Sequence, residues 1–160
     1  MRYTLIFLFS VFTLFGSSAG CKKETLVAGT PGSGIQENQS PNPTGSQMKI
    51  KIGTHTFTAM LYDNAAATAF KALLPFTVIM SDLNANEKYS DLAASLPTSA
   101  SNPRTIQNGD LMLYGSRTLV LFYKTFTTSY SYTRLARIND PAGLAAAVGS
   151  GNVTVTFELE

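Results

Sequence analysis

The side chains best suited to recognition lie in the second half of the chain, where tyrosines are interspersed with arginines. Tyr and Arg each combine a large contact area with a directional polar tip, and both are enriched where proteins bind ligands. The set that could line a groove consists of Arg104, Tyr114, Tyr123, Phe126, Tyr130, Tyr132 and Arg134. The alternative is that each of these residues belongs to an ordinary core or to a solvated rim. Their clustering predicts a groove for a peptide or a small ligand.

Two acidic residues, Glu87 and Asp110, are the candidates for acid–base chemistry. Both follow turn signals, where acidic side chains commonly form local hydrogen bonds. The single His, His55, lies at a predicted turn without partners, so we predict no Ser/His/Asp set. We therefore assign no catalytic residue and place Glu87 among the candidates for the groove.

Composition argues against metal, nucleotide and nucleic-acid binding. One His and one Cys do not support a zinc site. Charged residues make up 14% of the chain, the formal net charge is +2, and no cluster of Lys and Arg is visible. The Gly-rich segments 29–34 and 149–151 lack the strand and helix that flank a phosphate-binding loop. We expect no cofactor, no metal and no nucleic-acid partner.

The first 21 residues have the pattern of an exported, lipid-anchored protein. A short basic start precedes an apolar run at 4–15, which at 12 residues is shorter than the ~20 needed to span a bilayer but suits a signal peptide. Ser18-Ala19-Gly20-Cys21 resembles the bacterial lipoprotein box, with Ser18 where that pattern prefers Leu. The resemblance implies a signal peptide at 1–20 and a lipidated Cys21 that anchors the protein to a membrane of the bacterial cell envelope. The alternative is ordinary cleavage after Ala19.

The segment that follows predicts a tether. Residues 24–47 are rich in Gly, Ser, Thr, Asn, Gln and Pro, and their few apolar residues show no period. Such a composition buries too little apolar surface to offset the entropy of ordering. We therefore interpret 21–47 as the lipidated Cys and a flexible linker, and 48–160 as the folded domain.

Alternation of apolar and polar residues predicts most of the strands in that domain. The predicted strands are 48–52 and 55–62, joined as a hairpin, then 76–80, then 111–114 and 119–123 as a second hairpin, then a run at 130–138, and finally 153–159, which we expect to pair with the first. The polar segment 81–89 and the segment 98–108 are predicted as loops.

Helix signals are fewer. Asp63 or Asn64 is a suitable cap for a helix over 65–74 that ends at Pro75. Asp140-Pro141 marks the start of a helix that ends at Gly149, and a single helical turn is predicted at 91–96. Seven or eight strands, two or three short helices and no βαβ rhythm indicate a mainly β fold, either a closed antiparallel barrel or a sandwich. Full closure would remove exposed strand edges.

Four short segments carry a resemblance to a known family. They are Leu73-Leu74-Pro75, Glu87-Lys88-Tyr89, Gly109-Asp110-Leu111-Met112-Leu113-Tyr114 and Tyr130-Ser131-Tyr132-Thr133-Arg134. In this order they resemble the bacterial cyclophilin-like domain family over 48–160. The resemblance implies the closed eight-stranded β-barrel of cyclophilins. The function of that family is largely unassigned.

True cyclophilins are peptidyl-prolyl isomerases that use an Arg, a Gln and an aromatic proline pocket. The run Ile106-Gln107-Asn108-Gly109-Asp110 is similar to part of that site. The surrounding sequence departs from it, because Ser99 occupies the position of the Arg, Arg104-Thr105 replaces the Phe-Met pair, and Trp is absent. We therefore transfer no catalytic residue. The sequence predicts a membrane-anchored binding module for a peptide or small ligand, and the alternative is a prolyl isomerase with a non-standard site.

Overall fold

The computed structural model describes residues 42–160, which form ten strands and two helices. The predicted signal peptide, Cys21 and the linker up to residue 41 lie outside the described residues. The strands are β1 Gln47–Ile52, β2 His55–Leu61, β3 Phe76–Leu83, β4 Glu87–Asp91, β5 Thr105–Ile106, β6 Asp110–Tyr114, β7 Thr118–Phe122, β8 Phe126–Thr127, β9 Thr133–Ile138 and β10 Val153–Leu159. The helices are α1 Ala65–Lys71 and α2 Leu144–Val148.

Eight of these strands close an antiparallel barrel in the order β1-β10-β3-β4-β7-β6-β9-β2. The last strand pairs with the first, with Phe157 opposite Ile50, and also with β3. The predicted mainly β fold, the closed barrel and the pairing of the closing strand are therefore confirmed. Each barrel strand has a neighbour on both sides, so the ladder leaves no open edge.

The interior of the barrel is apolar because alternate side chains of each strand point inward. Leu111, Leu113, Leu119 and Leu121 of the central hairpin belong to this core and are completely buried. Helix α1 packs against it through Phe70, whose ring meets the ring of Phe157 edge-to-face at a centroid distance of 5.9 Å. Full burial of one such side chain stabilises the fold by about 2 kcal/mol.

Asn64 begins α1 as predicted. Its side-chain oxygen accepts a hydrogen bond from the backbone N–H of Ala67 at 2.8 Å, and its amide donates to the carbonyl of Arg134 at 3.0 Å. The cap therefore also attaches the helix to β9. The helix ends at Lys71, three residues before the predicted boundary.

A second apolar cluster lies on the outer face of β6 and β7. It contains Ile106, Met112, Val120, Phe122 and Tyr132, and Phe126 packs against it. The two short strands β5 and β8 pair with each other over this face. The barrel wall formed by β6 and β7 is therefore apolar on both sides, which explains the unbroken apolar run at 119–122.

The prediction of an exposed loop over 81–89 is wrong. β3 continues to Leu83 and β4 begins at Glu87, so only a tight turn remains between them. Asn84 and Ala85 have φ values of 54° and 52°, the left-handed conformation that lets the chain reverse there. Although Glu87 and Lys88 are charged, both are buried in β4 and are not solvated.

Three smaller predictions are also wrong. No helical turn forms at 91–96, because the backbone N–H groups of Leu92 and Leu96 donate instead to the turn between β6 and β7. Helix α2 begins after Gly143, since the Asp140 carboxylate accepts from the N–H of Ala142 and forms a separate turn. The predicted loop 98–108 contains β5.

Candidate functional site

The register of β4 on β7 assigns its side chains to faces of the barrel wall. Glu87 lies opposite Phe122, and Lys88 lies opposite Leu121. Directly paired residues of an antiparallel ladder place their side chains on the same face. Because Phe122 belongs to the outer cluster and Leu121 to the inner core, Glu87 points outward and Lys88 points into the barrel.

A two-stranded ribbon covers part of the outer face. We call residues 101–108 and 125–132 the outer ribbon. Its two segments are joined by β5 and β8, by two hydrogen bonds of 3.0 Å between Ser101 and Tyr132, and by a 2.8 Å bond from Thr128 N–H to the Arg104 carbonyl. The amide of Asn102 also donates to the Ser129 carbonyl at 2.9 Å.

A pocket of about 590 Å³ lies between this ribbon and the barrel wall. We call it the outer pocket. Its lining consists of Leu83, Asn84 and Asn86 from the β3–β4 turn, Glu87 and Tyr89 from β4, Tyr114 from β6, Thr118 and Val120 from β7, and Phe126, Thr127, Thr128, Ser129, Tyr130 and Tyr132 from the outer ribbon. This volume is within the range of small-molecule sites.

Aromatic rings form one side of the outer pocket at varied angles. Tyr114 meets Tyr130 edge-to-face at 6.2 Å and is tilted at 52° to Tyr132 at 5.6 Å. Tyr132 in turn packs edge-to-face on Phe122 at 5.4 Å. Tyr132 is buried, whereas Tyr114 is 47% and Tyr130 is 61% exposed. Tyr132 is therefore fixed by the outer cluster, and the other two rings form a solvent-facing rim.

Glu87 is the acidic residue of the pocket and has no counter-charge in the described part of the chain. Its exposed fraction is 9%, and within residues 42–160 its carboxylate neither accepts a hydrogen bond nor forms an ion pair. Burial raises the pKa of the Glu87 carboxyl, and the nearby Asp82 carboxylate raises it further. Burial also raises the pKa of Tyr132, with a smaller contribution from Glu87, so the two groups are electrostatic neighbours.

The inward side of β4 has the opposite character, because Lys88 is completely buried and fully paired. Its ammonium donates to Asp82 Oδ2 at 2.6 Å and to the carbonyls of Gly149 and Gly151 at 2.9 and 2.7 Å. The Tyr123 hydroxyl donates to the same Asp82 oxygen at 2.7 Å. Hydrogen bonds from Lys88 and Tyr123 lower the pKa of Asp82, while burial, followed by this bond, raises the pKa of Tyr123 to about 12.

The structure brings together some of the residues proposed for the groove and separates others. Glu87, Tyr114, Phe126, Tyr130 and Tyr132 all line the outer pocket. Tyr123, Arg104 and Arg134 do not line it.

The three separated residues have other surroundings. Tyr123 belongs to the inner core, and Arg104 is exposed at a φ of 62°, where its backbone joins the outer ribbon. The Arg134 guanidinium lies 5.8 Å from the ring centre of Tyr62.

Asp110 has a structural role. It is completely buried, its Oδ1 accepts from Arg137 Nε at 2.8 Å, and its Oδ2 accepts from the N–H of Gln107 at 2.8 Å. The run at 106–110 that resembles part of a cyclophilin site therefore forms a hydrogen-bonded turn next to β6. Within residues 42–160 no group of three or more His, Cys, Asp or Glu side chains is arranged to hold a metal ion.

Sequence reasoning missed several residues of the pocket, mainly Asn86, Tyr89 and the segment 127–129. Tyr89 is two residues from Glu87, so a strand over 87–91 would have placed both on one face. The polar composition of 81–89, which predicts a loop, conceals this signal. The polar segment 127–129 has no pattern that would have assigned it to a pocket.

These observations define a closed eight-stranded antiparallel barrel with an outer pocket beneath a short ribbon. The model of the cyclophilin-like family matches residues 50–158, more than half of the chain. The protein therefore belongs to the cyclophilin-like family.

One solved structure supports the same fold. The solution structure of the hypothetical protein AF2241 from Archaeoglobus fulgidus is 15% identical, with a TM-score of 0.57 over 76% of this chain and 100% of that chain. At this identity the likeness shows the fold alone. No curated protein matched the sequence.

Proposed function

We propose that this protein is a binding module whose outer pocket holds a small organic molecule or a side chain of a peptide, without catalysis. The observation that carries the proposal is the pocket of about 590 Å³, with four tyrosines, one phenylalanine and one nearly buried carboxyl group in its lining. Ligand sites are concave and largely apolar, with a few polar groups that orient the ligand. Rigid aromatic side chains supply contact area at a small entropic cost.

A ligand screen tests this proposal. The full chain, held in an uncharged detergent, is screened by ligand-observed NMR against short peptides and small cationic, neutral and anionic molecules. We expect at least one class to bind, and we expect Tyr114→Ala to weaken that binding by about tenfold or more, because the variant removes an aromatic ring that lines the pocket. Ile79→Ala is the control, because Ile79 is also exposed and does not line the pocket. Equal loss in both variants, or no binding by any class, would refute the module.

The alternative is a peptidyl-prolyl isomerase with a non-standard site, which rests on analogy of fold. An isomerase of the cyclophilin type uses an Arg to donate to the rotating amide, and no Arg is among the described residues that line the outer pocket. A protease-coupled assay with proline peptides separates the two functions. Background rates support the binding module, and accelerated isomerisation that Tyr114→Ala abolishes would establish the enzyme.

We further propose that the protein is exported and anchored to a membrane of the cell envelope through lipid on Cys21, and that the residues between Cys21 and the start of the folded domain act as a tether. The support is the sequence around Cys21, where an apolar run of signal-peptide length precedes the only Cys of the chain. Among the described residues, no helix is long and apolar enough to cross a membrane. Mass spectrometry of the mature N-terminus should find an acylated Cys21, and a free Gly20 amine would contradict the anchor.

A further inference from the structure

We propose that the ligand of the outer pocket is an organic cation, specifically the primary ammonium group of an alkylamine or of a lysine side chain. The inference rests on the proposed function, since it names the ligand class of the same pocket. It follows from three properties of the lining: an uncompensated carboxylate, a second hydrogen-bond acceptor without a donor, and a wall of tyrosine rings.

The charge of Glu87 is not paired with a cationic side chain of the described residues, so a bound cation could pair with it. Lys88 is the adjacent residue, but its ammonium is directed into the barrel and held there by Asp82 and two backbone carbonyls. None of the residues that line the outer pocket is Lys, Arg or His. Because a buried carboxylate is costly unless it is paired, a bound ammonium would relieve the cost that Glu87 imposes on the folded protein.

Asn86, the residue before Glu87, carries a second acceptor. The side-chain oxygen of Asn86 is buried and has no donor within residues 42–160, and Asn86 lines the same pocket. Buried acceptors are rarely left without a donor. A primary ammonium carries three N–H donors, so one such group has enough donors for both Glu87 and Asn86.

The aromatic wall favours the same chemistry. The face of a tyrosine ring is electron-rich and attracts cations within about 6 Å of its centre. Tyr114, Tyr130 and Tyr132 meet at steep angles and form no parallel stack, so their faces turn in several directions around the rim. An anionic ligand would gain nothing from these faces and would be repelled by Glu87. A neutral ligand would leave the Glu87 charge unpaired.

Protonation of Glu87 should therefore compete with binding. The titratable and charged groups around it are Asp82 on β3, Lys88 and Tyr89 on β4, Tyr114 on β6, Tyr123 after β7, and Tyr130 and Tyr132 on the outer ribbon. Hydrogen bonds from Lys88 and Tyr123 lower the pKa of Asp82, so Glu87 takes up a proton at a higher pH than Asp82 does. Affinity for an ammonium should fall as the pH falls through the raised pKa of Glu87.

Calorimetric titration of the full chain in an uncharged detergent tests the inference. The probes are butylammonium, the neutral isostere butanol, the anion butyrate, and the capped peptide Ala-Lys-Ala beside its norleucine analogue. We expect butylammonium to bind about tenfold or more tightly than butanol or butyrate. The peptide arm distinguishes the source: tighter binding of the lysine peptide than of butylammonium indicates a protein side chain, and the reverse indicates a free amine.

Two variants locate the effect. Glu87→Gln should reduce the affinity for butylammonium about tenfold or more and reduce that for butanol much less. Glu158→Gln removes one carboxylate outside the pocket and should change neither affinity by more than about twofold. Tyr114→Leu, which keeps bulk but removes a ring face, should weaken butylammonium more than butanol. Preferred binding of butanol or butyrate, or full retention by Glu87→Gln, would overturn the cation and leave the binding module standing. Failure of every class of molecule to bind would overturn both.

Discussion

Glu87 and Lys88 are consecutive residues of β4, both are buried, and their side chains point to opposite faces of one barrel wall. Lys88 has an ion pair at 2.6 Å and two carbonyl acceptors, whereas Glu87 has no partner within residues 42–160. The two charges therefore do not neutralise each other. The inner charge is part of the fold, and the outer one lines the outer pocket.

Removal of the inner charge should destabilise the barrel. Lys88→Met leaves Asp82 and the carbonyls of Gly149 and Gly151 without their donor, so we expect the free energy of unfolding to fall by about 3 kcal/mol. Lys51→Met is the control, because Lys51 pairs with Glu158 on the surface and such pairs contribute less than about 1 kcal/mol. Urea denaturation measures both. Equal stability of the two variants would mean that the contacts of Lys88 with Asp82, Gly149 and Gly151 do not stabilise the barrel.

The outer charge should have the opposite effect. The pKa of Glu87 is raised in the folded protein, so ionisation disfavours the folded state. Its contribution to stability is greatest below its ordinary pKa and is lost as the pH rises through the raised folded value. We expect Glu87→Gln to be more stable than the parent by about 0.5 kcal/mol near pH 8 and equal to it near pH 4. Urea denaturation at both pH values checks this, and a variant that is less stable at pH 8 would show that Glu87 has a stabilising partner.

Tyr123 tests the assignment of faces. Its hydroxyl donates to Asp82 on the inner side of the wall, so Tyr123→Phe should cost about 1 kcal/mol of unfolding free energy. The same variant should leave binding at the outer pocket unchanged within about twofold, because Tyr123 does not line it. Tyr132→Phe is the matched change on the outer side. Loss of binding in Tyr123→Phe alone would contradict the assignment.

Gly109 marks the start of the central hairpin and has a φ of 90°, a conformation that side chains rarely adopt. A Cβ there would lie 3.1 Å from the Cβ atoms of Ile138 and Pro141. We expect Gly109→Ala to cost about 3 kcal/mol, from backbone strain and crowding together. Gly115→Ala is the control at a φ of 58° with open space around it, and it should cost about 1 kcal/mol. Thermal denaturation compares them, and equal losses would show that crowding at Gly109 contributes nothing.

Two sequence signals predict the barrel strands best. Alternation predicts the closing strand 153–159, because only one of its faces is buried. Two short apolar runs separated by a turn that contains Gly predict the hairpin at 111–123, whose wall is apolar on both faces. The sequence does not predict β4, because buried Lys88 and Glu87 give this strand the polar composition that is typical of a loop. Only the three-dimensional neighbours of Lys88, which come from residues 82, 149 and 151, explain its burial.

Only some of the residues that line the outer pocket are predicted from the sequence. Tyrosines 114, 130 and 132 were grouped correctly as neighbours in space because they lie near each other around one hairpin and the following strand. The sequence could not decide to which side of the wall Tyr123 points, since this depends on whether Phe122 or Leu121 faces the core. Arg104 and Arg134 are predicted for the groove only from their residue type, and a residue type does not show where its side chain points.

The most direct test of the outer pocket as a ligand site is the pKa of Glu87 itself. We would follow the carboxyl carbon of Glu87 by ¹³C NMR across pH, with and without saturating butylammonium, and use Glu158 as the internal control. We expect the pKa of Glu87 to lie above the ordinary glutamate value in the free protein and to decrease clearly when butylammonium is bound, with no change at Glu158. An ordinary pKa for Glu87 that butylammonium does not alter would contradict this prediction.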